Sequence, residues 1–536
     1  MTASYKVLVA DKIAREGLAP LAADPRFELI EKPGLAGDAL AAAVADADAV
    51  LVRSATKITR ESLARATRLK VIGRAGVGVD TIDVEAATER GVAVMNAPAG
   101  NTISAAELAF ALLASLVRRI PAADRSMKAG QWERTAFSGT ELYRKTLGLI
   151  GAGRIGSEVA ARARAFGMRV LAYDPYLSPE AARALGMELT TLEGVLRDAD
   201  AISLHVPLTE STRGMLNDER LALLKPTAVI INAARGGLID EAGLIRRLGE
   251  GKLGGAAIDV FDKEPLPADH PLRAVPNVIL TPHLGASTEE AQLNVALEIA
   301  EAVKAALLEG DFSGAVNAPL VGGERLQRLR PLLDLATRLG RLGAALVDGP
   351  VRTIEVRLAG EGQDLLRPVA AGAVIGVLER ALSASAVNVV NALHLAKQRG
   401  ITVEQTRLDA PHPSGETIEL RIGSGGEMVR VAGAMLAEGH PRIVRINDFR
   451  IDVAPRGILL ILQNRDVPGV IGRVGTLLGD AGINIAEYHQ ARLGAGGEAL
   501  AAVSVDAALP GWQLATLQTM PDVRRVALAE MDGPPA

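Results

Sequence analysis

The chain has 536 residues and a formal net charge of −4. That length predicts three or four domains, and so mild a charge leaves no electrostatic footprint for nucleic acid or an anionic membrane. There is no cysteine, which excludes disulfides, thiolate nucleophiles and cysteine-ligated metals and fits a reducing compartment. Aromatic residues make up only 3%, so Ala, Leu, Val and Ile must fill the cores. No metal site is expected, and no apolar run is long enough to span a bilayer.

The strand at Tyr5–Val9 begins almost at the N-terminus, leaving no room for a signal peptide, so a cytoplasmic location is expected. Short apolar runs at Val7–Val9, Phe27–Ile30, Ala49–Val52, Lys70–Ile72 and Val92–Val94 alternate with helical patterns and predict a small parallel α/β lobe over residues 1–98. Asn101–Arg119 reads as a long helix, with Pro121 just beyond its end.

The most informative stretch follows. Thr146-Leu-Gly-Leu-Ile runs as an apolar strand into Gly151, Gly153 and Gly156, a helical pattern starts at once, and Arg169–Tyr173 reads as a second strand ending on Asp174. This is a dinucleotide-binding βαβ unit with its acid at the expected distance. Gly151 permits the tight turn, Gly153 lets the backbone approach a pyrophosphate, and Gly156 lets helix pack on strand. The helix N-terminus offers unpaired N–H groups to the anion. Asp174 can accept both ribose hydroxyls and repels a 2′-phosphate, so NAD is expected rather than NADP.

Further strands are expected at Ala201–Leu204, Ala228–Asn232, Gly255–Asp259 and Val278–Thr281, giving a nucleotide domain over 99–285. Ser287–Glu309 reads as a helix with acids in its first turn, carrying the chain back so that 286–317 completes the first lobe. Asn317–Gly323 is turn-rich and reads as a linker. Residues 318–453 mix helices (Leu329–Leu346, Gly376–Gln398) with alternating strands (Thr353–Leu358, Ile418–Ile422, Ile443–Ile446) and predict an α+β domain. After Ala454-Pro-Arg-Gly457, residues 454–536 read strand, helix, strand, strand, helix, strand, the ferredoxin-like order.

Three titratable residues fall where strands of the nucleotide unit end: Arg235 in Asn232-Ala-Ala-Arg-Gly-Gly237, Glu264 in Asp259-Val-Phe-Asp-Lys-Glu-Pro265, and His283 in Thr281-Pro-His-Leu-Gly285. Ligands of doubly wound sheets bind outside those carboxyl ends. Taken singly, each reads equally well as a solvated or packed side chain.

Together with Arg53-Ser-Ala-Thr-Lys57, Gly73-Arg-Ala-Gly-Val-Gly-Val-Asp80 and Asn96-Ala-Pro-Ala-Gly-Asn101, these segments resemble the D-isomer-specific 2-hydroxyacid dehydrogenases. The two added C-terminal domains resemble that family's long, phosphoglycerate-oxidising branch. The resemblance covers essentially the whole chain. It implies two Rossmann-like doubly wound lobes, an intervening α+β domain and a βαββαβ ACT domain. It also implies a homo-oligomer, dimeric or tetrameric, that oxidises 3-phosphoglycerate to 3-phosphohydroxypyruvate with NAD, the first step of phosphorylated serine synthesis. Arg235, Glu264 and His283 are then catalytic: His283 takes the hydroxyl proton, Glu264 orients the ring, and Arg235 forks onto the substrate carboxylate.

The same resemblance places Val77, Gly151, Gly153, Arg154, Ile155, Gly156, Asp174, Val206, Pro207, Ala233, Ala234, Arg235, Asp259, His283, Leu284, Gly285 and Ala286 around the cofactor. Some relatives carry Thr at positions 77 and 206, so only backbone or apolar contacts transfer there. Arg53, Ser54, Arg74, Gly76, Asn101, Arg235 and His283 are assigned to substrate. Lys57 is a further candidate for the phosphate, as is Arg134 from across a subunit boundary, and Trp132 resembles a dimer contact; its alternative is an ordinary core aromatic. In the last domain Asn464, Asp466 and Asn484 match the polar positions of an amino-acid site, with L-serine the expected effector; some relatives carry His where Asn464 stands. Arg442, Arg445 and Arg450 of the intervening domain are left as anion ligands or solvated charges. Two other readings stay open: an NAD-sensing, corepressor-like binding protein, and a dehydrogenase of another D-2-hydroxy acid such as glycerate.

Overall fold

The computed structural model describes residues 4–318, 324–360, 365–383, 386–408, 416–436 and 440–532. Of the linker read at Asn317–Gly323, residues 319–323 lie outside these.

The first sheet contains β1 (Tyr5–Val9), β2 (Phe27–Glu31), β3 (Ala49–Val52), β4 (Val71–Arg74) and β5 (Ala93–Asn96), in the order β2-β1-β3-β4-β5 and parallel throughout. Its central strand β3 is a continuous apolar run because both faces are covered, whereas the edge strand β2 keeps Glu28 and Glu31 exposed. The helix Glu289–Glu309 covers one of them, and its Val295, Ile299 and Val303 share a core with Val7, Val9, Leu51 and Val71. Burying each such side chain stabilises by about 1.5–3 kcal/mol. The helix approaches so closely that a Cβ on Gly73 would lie 2.8 Å from an Ile299 side-chain carbon. Thr288 caps the helix by accepting from Ala291 N–H, and Gly310 ends it at φ +68°.

The second sheet contains β6 (Thr146–Ile150), β7 (Arg169–Tyr173), β8 (Glu188–Leu189), β9 (Ala201–Leu204), β10 (Val229–Asn232), β11 (Gly255–Ile258) and β12 (Val278–Leu280). Its order, β12-β11-β10-β9-β6-β7-β8, is all parallel and reverses direction between β6 and β9. That reversal is the topological switch point where dinucleotides sit. Period-2 alternation divides its side chains. Leu147 and Leu149 pack toward the helices Thr102–Val117 and Arg154–Ala165, while Ile150, Ile202 and Ile230 face the opposite core with Leu196 and Leu244.

The third sheet contains β13 (Thr353–Ala359), β14 (Thr402–Leu408), β15 (Thr417–Ser424), β16 (Glu427–Leu436), β17 (His440–Ile446) and β18 (Phe449–Val453). β13 and β14 pair in parallel and the other neighbours antiparallel. The fourth sheet contains β19 (Ile458–Arg465), β20 (Ile485–Arg492), β21 (Glu498–Val505) and β22 (Val523–Glu530) in the antiparallel order β20-β21-β19-β22, with helices Val470–Asp480 and Gly511–Thr519 between strands. The third and fourth sheets share one core. Leu335, Leu339 and Leu342 of the helix Glu324–Leu346 pack with Ile354 and Ile418 of one and with Leu459, Ile461 and Ala502 of the other.

One long helix expected from the sequence is broken. Gly376–Gln398 is instead the end of the helix Leu366–Leu378 and a short helix Ala392–Gln398. Between them Asn388 Oδ1 accepts from Val390 and Asn391 N–H, and Asn391 Oδ1 accepts from Asn388 N–H, side-chain bonds that compete with the helix ladder. The Asn388 amide then donates to Gly91 O, and Val390 is buried in the first lobe's core. Trp132 is 76% exposed, which overturns its reading as a core aromatic.

Candidate active site

The first-lobe wall of the cleft is built by the loops after β3, β4 and β5. Asp11, just past β1 and 5% exposed, accepts from Arg53 N–H (2.5 Å), Thr56 N–H (3.2 Å) and the Thr56 hydroxyl (2.7 Å), and so holds the turn that carries Arg53 and Ser54. Arg74 ends β4 and folds back over Gly76, whose φ of +147° and missing Cβ make the room. In this conformation Gly76 N–H donates to Arg74 O at 2.8 Å. Asn96 donates its amide to Val77 O. Glu298, on the long returning helix, accepts from Gly100 N–H at 2.8 Å and holds the turn leading to Asn101.

This wall is cationic and under-satisfied. Burial, and then the neighbouring Arg235 charge, push the Arg74 guanidinium down to about 10. Arg74 Nε, Asn101 Oδ1 and Thr102 Oγ1 are buried without hydrogen-bond partners. Unpaired buried polar atoms of this kind cost free energy that a polar ligand can recover.

On the opposite wall, Arg235 leaves β10 through a turn in which Asn232 Oδ1 accepts from Ala234 N–H (3.1 Å) and Asn232 Nδ2 donates to Arg235 O (2.9 Å). Its guanidinium reaches the first lobe: Nε lies 3.3 Å from Asp80 Oδ2, and Nη2 would be 2.0 Å from a Cβ on Gly78. Glu264 Oε1 accepts from Phe261 N–H (3.0 Å), and Oε2 lies 2.8 Å from His283 Nδ1. His283 has a left-handed backbone, φ +55°, and Asp259 supports it. That carboxylate is fully buried and accepts from the Thr281 hydroxyl (2.5 Å), Leu284 N–H (2.8 Å) and Gly285 N–H (3.1 Å). With its protein partners so placed, Asp259 orders the 281–285 turn. The side chains of His283 and Glu264 are 48% and 37% exposed.

At the switch point Gly151 has φ +92°, and a Cβ there would lie 2.5 Å from His205 O; on Gly156 it would lie 2.2 Å from Gly151 O. On Gly153 it would meet nothing within 4 Å, leaving open space above the N-terminus of the helix Arg154–Ala165. Asp174 accepts from Ala152 N–H and Tyr176 N–H, both at 2.9 Å, which pins its carboxylate at the end of β7 beside that space. The set fits a dinucleotide: an open cradle for the pyrophosphate, a helix N-terminus, and an anchored carboxylate for the ribose. Arg154 is exposed, Ile155 is half-buried, and Val206 lies against Gly151. Pro207 O accepts from the Thr212 hydroxyl, and Ala233 O lies 3.9 Å from where a Gly285 Cβ would sit. Leu284 is exposed and Ala286 half-buried on the same turn.

Not every expected grouping forms within one chain. Asn464 and Asp466 stand at the carboxyl end of β19. Asn484 precedes β20, at the sheet end where Ile458 begins β19, so the three do not converge. Asn464 is 3% exposed and donates to Arg465 O (2.6 Å); Asn484 donates to Asp506 (3.0 Å). The sequence reading also missed Asp11, Asp80, Asn96 and Glu298. Asp11 carried a signal, being an acid at the carboxyl end of the first strand; Glu298, mid-helix in sequence, carried none. A cavity of about 780 Å³ lies at the opposite, amino-terminal edge of the second sheet, lined among others by Leu116, Arg125, Thr227 and Asn277.

Residues 110–285 match the family model of the D-isomer specific 2-hydroxyacid dehydrogenase NAD binding domain, and residues 328–447 that of the D-3-phosphoglycerate dehydrogenase intervening domain. The chain is 43% identical over 522 residues to a Synechocystis D-3-phosphoglycerate dehydrogenase, covering 97% of this chain and 93% of that one. It is 42% identical to the Bacillus subtilis enzyme of the same name, covering 98% and 100%. Among solved structures it is similar to D-lactate dehydrogenase from Aquifex aeolicus complexed with NAD and lactic acid, with a TM-score of 0.51, 31% identity, and coverage of 57% of this chain and 97% of that one.

Proposed function

The chain belongs to the D-3-phosphoglycerate dehydrogenase family of NAD-dependent oxidoreductases, and from that premise we propose that it oxidises 3-phospho-D-glycerate to 3-phosphohydroxypyruvate. Bound NAD supplies the hydride acceptor. His283 receives the hydroxyl proton: the Glu264 carboxylate accepts from Nδ1–H at 2.8 Å, leaving the other ring nitrogen free as the base. Arg235 holds the substrate carboxylate through a two-pronged bond and draws charge from the carbinol oxygen. Arg53 and Arg74 take the phosphate, with Lys57 as a further cation, and Ser54, Gly76 and Asn101 line the same wall. Asp174 accepts the ribose hydroxyls. The two walls close on substrate and exclude water.

The observation that carries this reading is the reach of Arg235 to Asp80 of the first lobe, within electrostatic range of Arg74, while His283 and Glu264 follow the carboxyl ends of strands in the same parallel sheet as Arg235. The test is NADH formation from 3-phosphoglycerate at alkaline pH with product removed. Turnover by the wild type and its loss in Arg235→Ala are expected; wild-type turnover no greater than that variant's refutes the reading. Glycerate in place of 3-phosphoglycerate separates the phosphate-binding enzyme from a general hydroxy-acid dehydrogenase.

The finer organisation belongs to the same proposal. Residues 1–98 with 286–317 form the substrate domain, 99–285 the nucleotide domain, 318–453 the intervening domain, and 454–536 an ACT domain. The last is supported by its βαββαβ order. Because Asn464 and Asp466 lie at one end of that sheet and Asn484 at the other, a serine site formed by them needs a second copy. Exposed Ile120, Met127, Trp132 and Tyr143 support a homo-oligomeric contact in the 120–143 segment. The location is cytoplasmic; no helix among the described residues is long and apolar enough to cross a membrane.

A further inference from the structure

Arg235 and Glu264 serve one proposed reaction but belong to different segments. Arg235 follows β10, and Glu264 lies in the long excursion, residues 259–277, between β11 and β12. An excursion of that length needs anchors to hold a side chain within a fraction of an ångström.

The anchors converge on one carboxylate. Glu241 opens the helix Glu241–Gly249, a few residues after Arg235. Its Oε1 accepts from Asp262 N–H at 3.1 Å, two residues before Glu264. Its Oε2 lies 3.2 Å from His270 Nε2, six residues after Glu264. Asp262 in turn accepts from Gly237 N–H at 2.6 Å, two residues after Arg235. The two side chains of the Glu241–His270 pair are only 17% and 20% exposed.

The tautomer of His270 follows from its other contact. Nδ1 accepts from Leu272 N–H at 3.4 Å and caps the short helix Pro271–Ala274. A ring nitrogen that accepts carries no proton, so the proton sits on Nε2 and is donated to Glu241. Glu241 is therefore satisfied at both oxygens by two points of the excursion, Asp262 and His270, with Glu264 between them.

We propose that Glu241 and His270 are positioning residues for the reaction: their contact clamps the segment carrying Glu264 against the segment carrying Arg235, and so sets the separation of imidazole and guanidinium across the alcohol carbon. The proposal rests on the dehydrogenase reading above. It predicts a defect in kcat rather than in nucleotide binding, since a displacement of about 1 Å in such a constellation costs on the order of a hundredfold.

His270→Asn is the discriminating variant. Asn is a strong N-cap, so it keeps the bond to Leu272 N–H, but it is too short to reach Glu241. His270→Gln reaches further and presents an N–H toward Glu241. The measurements are kcat and KM for 3-phosphoglycerate, NADH affinity by fluorescence titration, and the thermal midpoint. Expected are a kcat reduced about tenfold in His270→Asn and in Glu241→Ala, partial recovery in His270→Gln, NADH affinity within about twofold of wild type, and a double variant no worse than the worse single one. A folded His270→Asn with wild-type kcat overturns the clamp, as do additive losses in the double variant. His270→Asn decides the matter alone where Glu241→Ala does not fold. A wild type inactive on 3-phosphoglycerate refutes the substrate instead, and the same variants are then compared on whichever 2-hydroxy acid is turned over.

Discussion

Arg235 Nε lies 3.3 Å from Asp80 Oδ2, an ion pair that joins the carboxyl edge of the second sheet to that of the first. Asp80 is 65% exposed on its side chain, so the pair is weak, about 0–1 kcal/mol. In the proposed reaction it competes with the substrate carboxylate for the guanidinium. We predict that Asp80→Asn lowers KM for 3-phosphoglycerate by about two- to fivefold and lowers kcat, because Arg235 is freed for the ligand but loses its orientation. Steady-state kinetics at low salt check this; a raised KM contradicts it.

Arg74 carries a cost that the proposed substrate contact offsets. Its guanidinium is pushed from 12.5 down to about 10 by burial and then by Arg235. For a base depressed in the folded state the penalty is fully present below the folded value and relieved above the unfolded one, so at neutral pH it stands at no more than about 3 kcal/mol. Arg74→Met is therefore expected to raise the unfolding free energy of the ligand-free protein by about 1–3 kcal/mol while raising KM for 3-phosphoglycerate at least tenfold. In thermal scans, added 3-phosphoglycerate should stabilise the wild type and leave the variant unmoved. A variant less stable than wild type without ligand contradicts the argument.

His205 gives the chain an acid-sensitive element. Burial holds its imidazole down from 6.5 to about 4, and its Nε2 lies 2.9 Å from the Ser203 hydroxyl. The unfolded chain binds this proton first, so the contribution is complete above pH 6.5 and is lost as pH falls through the window down to about 4. We predict that His205→Gln flattens the stability–pH slope in that window, as read by denaturant midpoints. An unchanged slope shows that other groups dominate it.

Asp174 is held by two backbone N–H groups and keeps lone pairs for the proposed ribose contact. Asp174→Ala is expected to weaken NADH binding by about ten- to a hundredfold, with a smaller effect on KM for substrate at saturating NAD. Equal losses in both contradict the assigned contact.

The proposed catalytic constellation could be picked out in the chain because its residues sit beside strand ends, and strand ends are marked by apolar runs giving way to glycine, asparagine and proline. The inner strands of the two parallel sheets were readable because burial on both faces writes continuous apolar runs, whereas the two-residue edge strand β8 went unread. The third sheet was less so. β14 is a polar edge strand, Thr402–Leu408, and β16 contains Gly433 between two alanines, so neither announces itself by composition. The break between Leu378 and Ala392 went unread because asparagine turns compete with helix only when the tertiary surroundings, here Gly91 and the first lobe's core, favour them.

What the chain by itself determined is local: which backbone positions must be glycine, which segments bury one face or both, and that an Arg, a Glu and a His fall where a parallel sheet exposes its carboxyl ends. Short-range sterics and periodic burial govern all of these. The tertiary structure alone decided which distant groups meet: Arg235 with Asp80, Glu241 with His270 and Asp262, Glu298 with Gly100, and the third and fourth sheets in one core. Such pairings depend on how whole elements pack, and no single segment carries the information for a contact whose other half lies tens or hundreds of residues away.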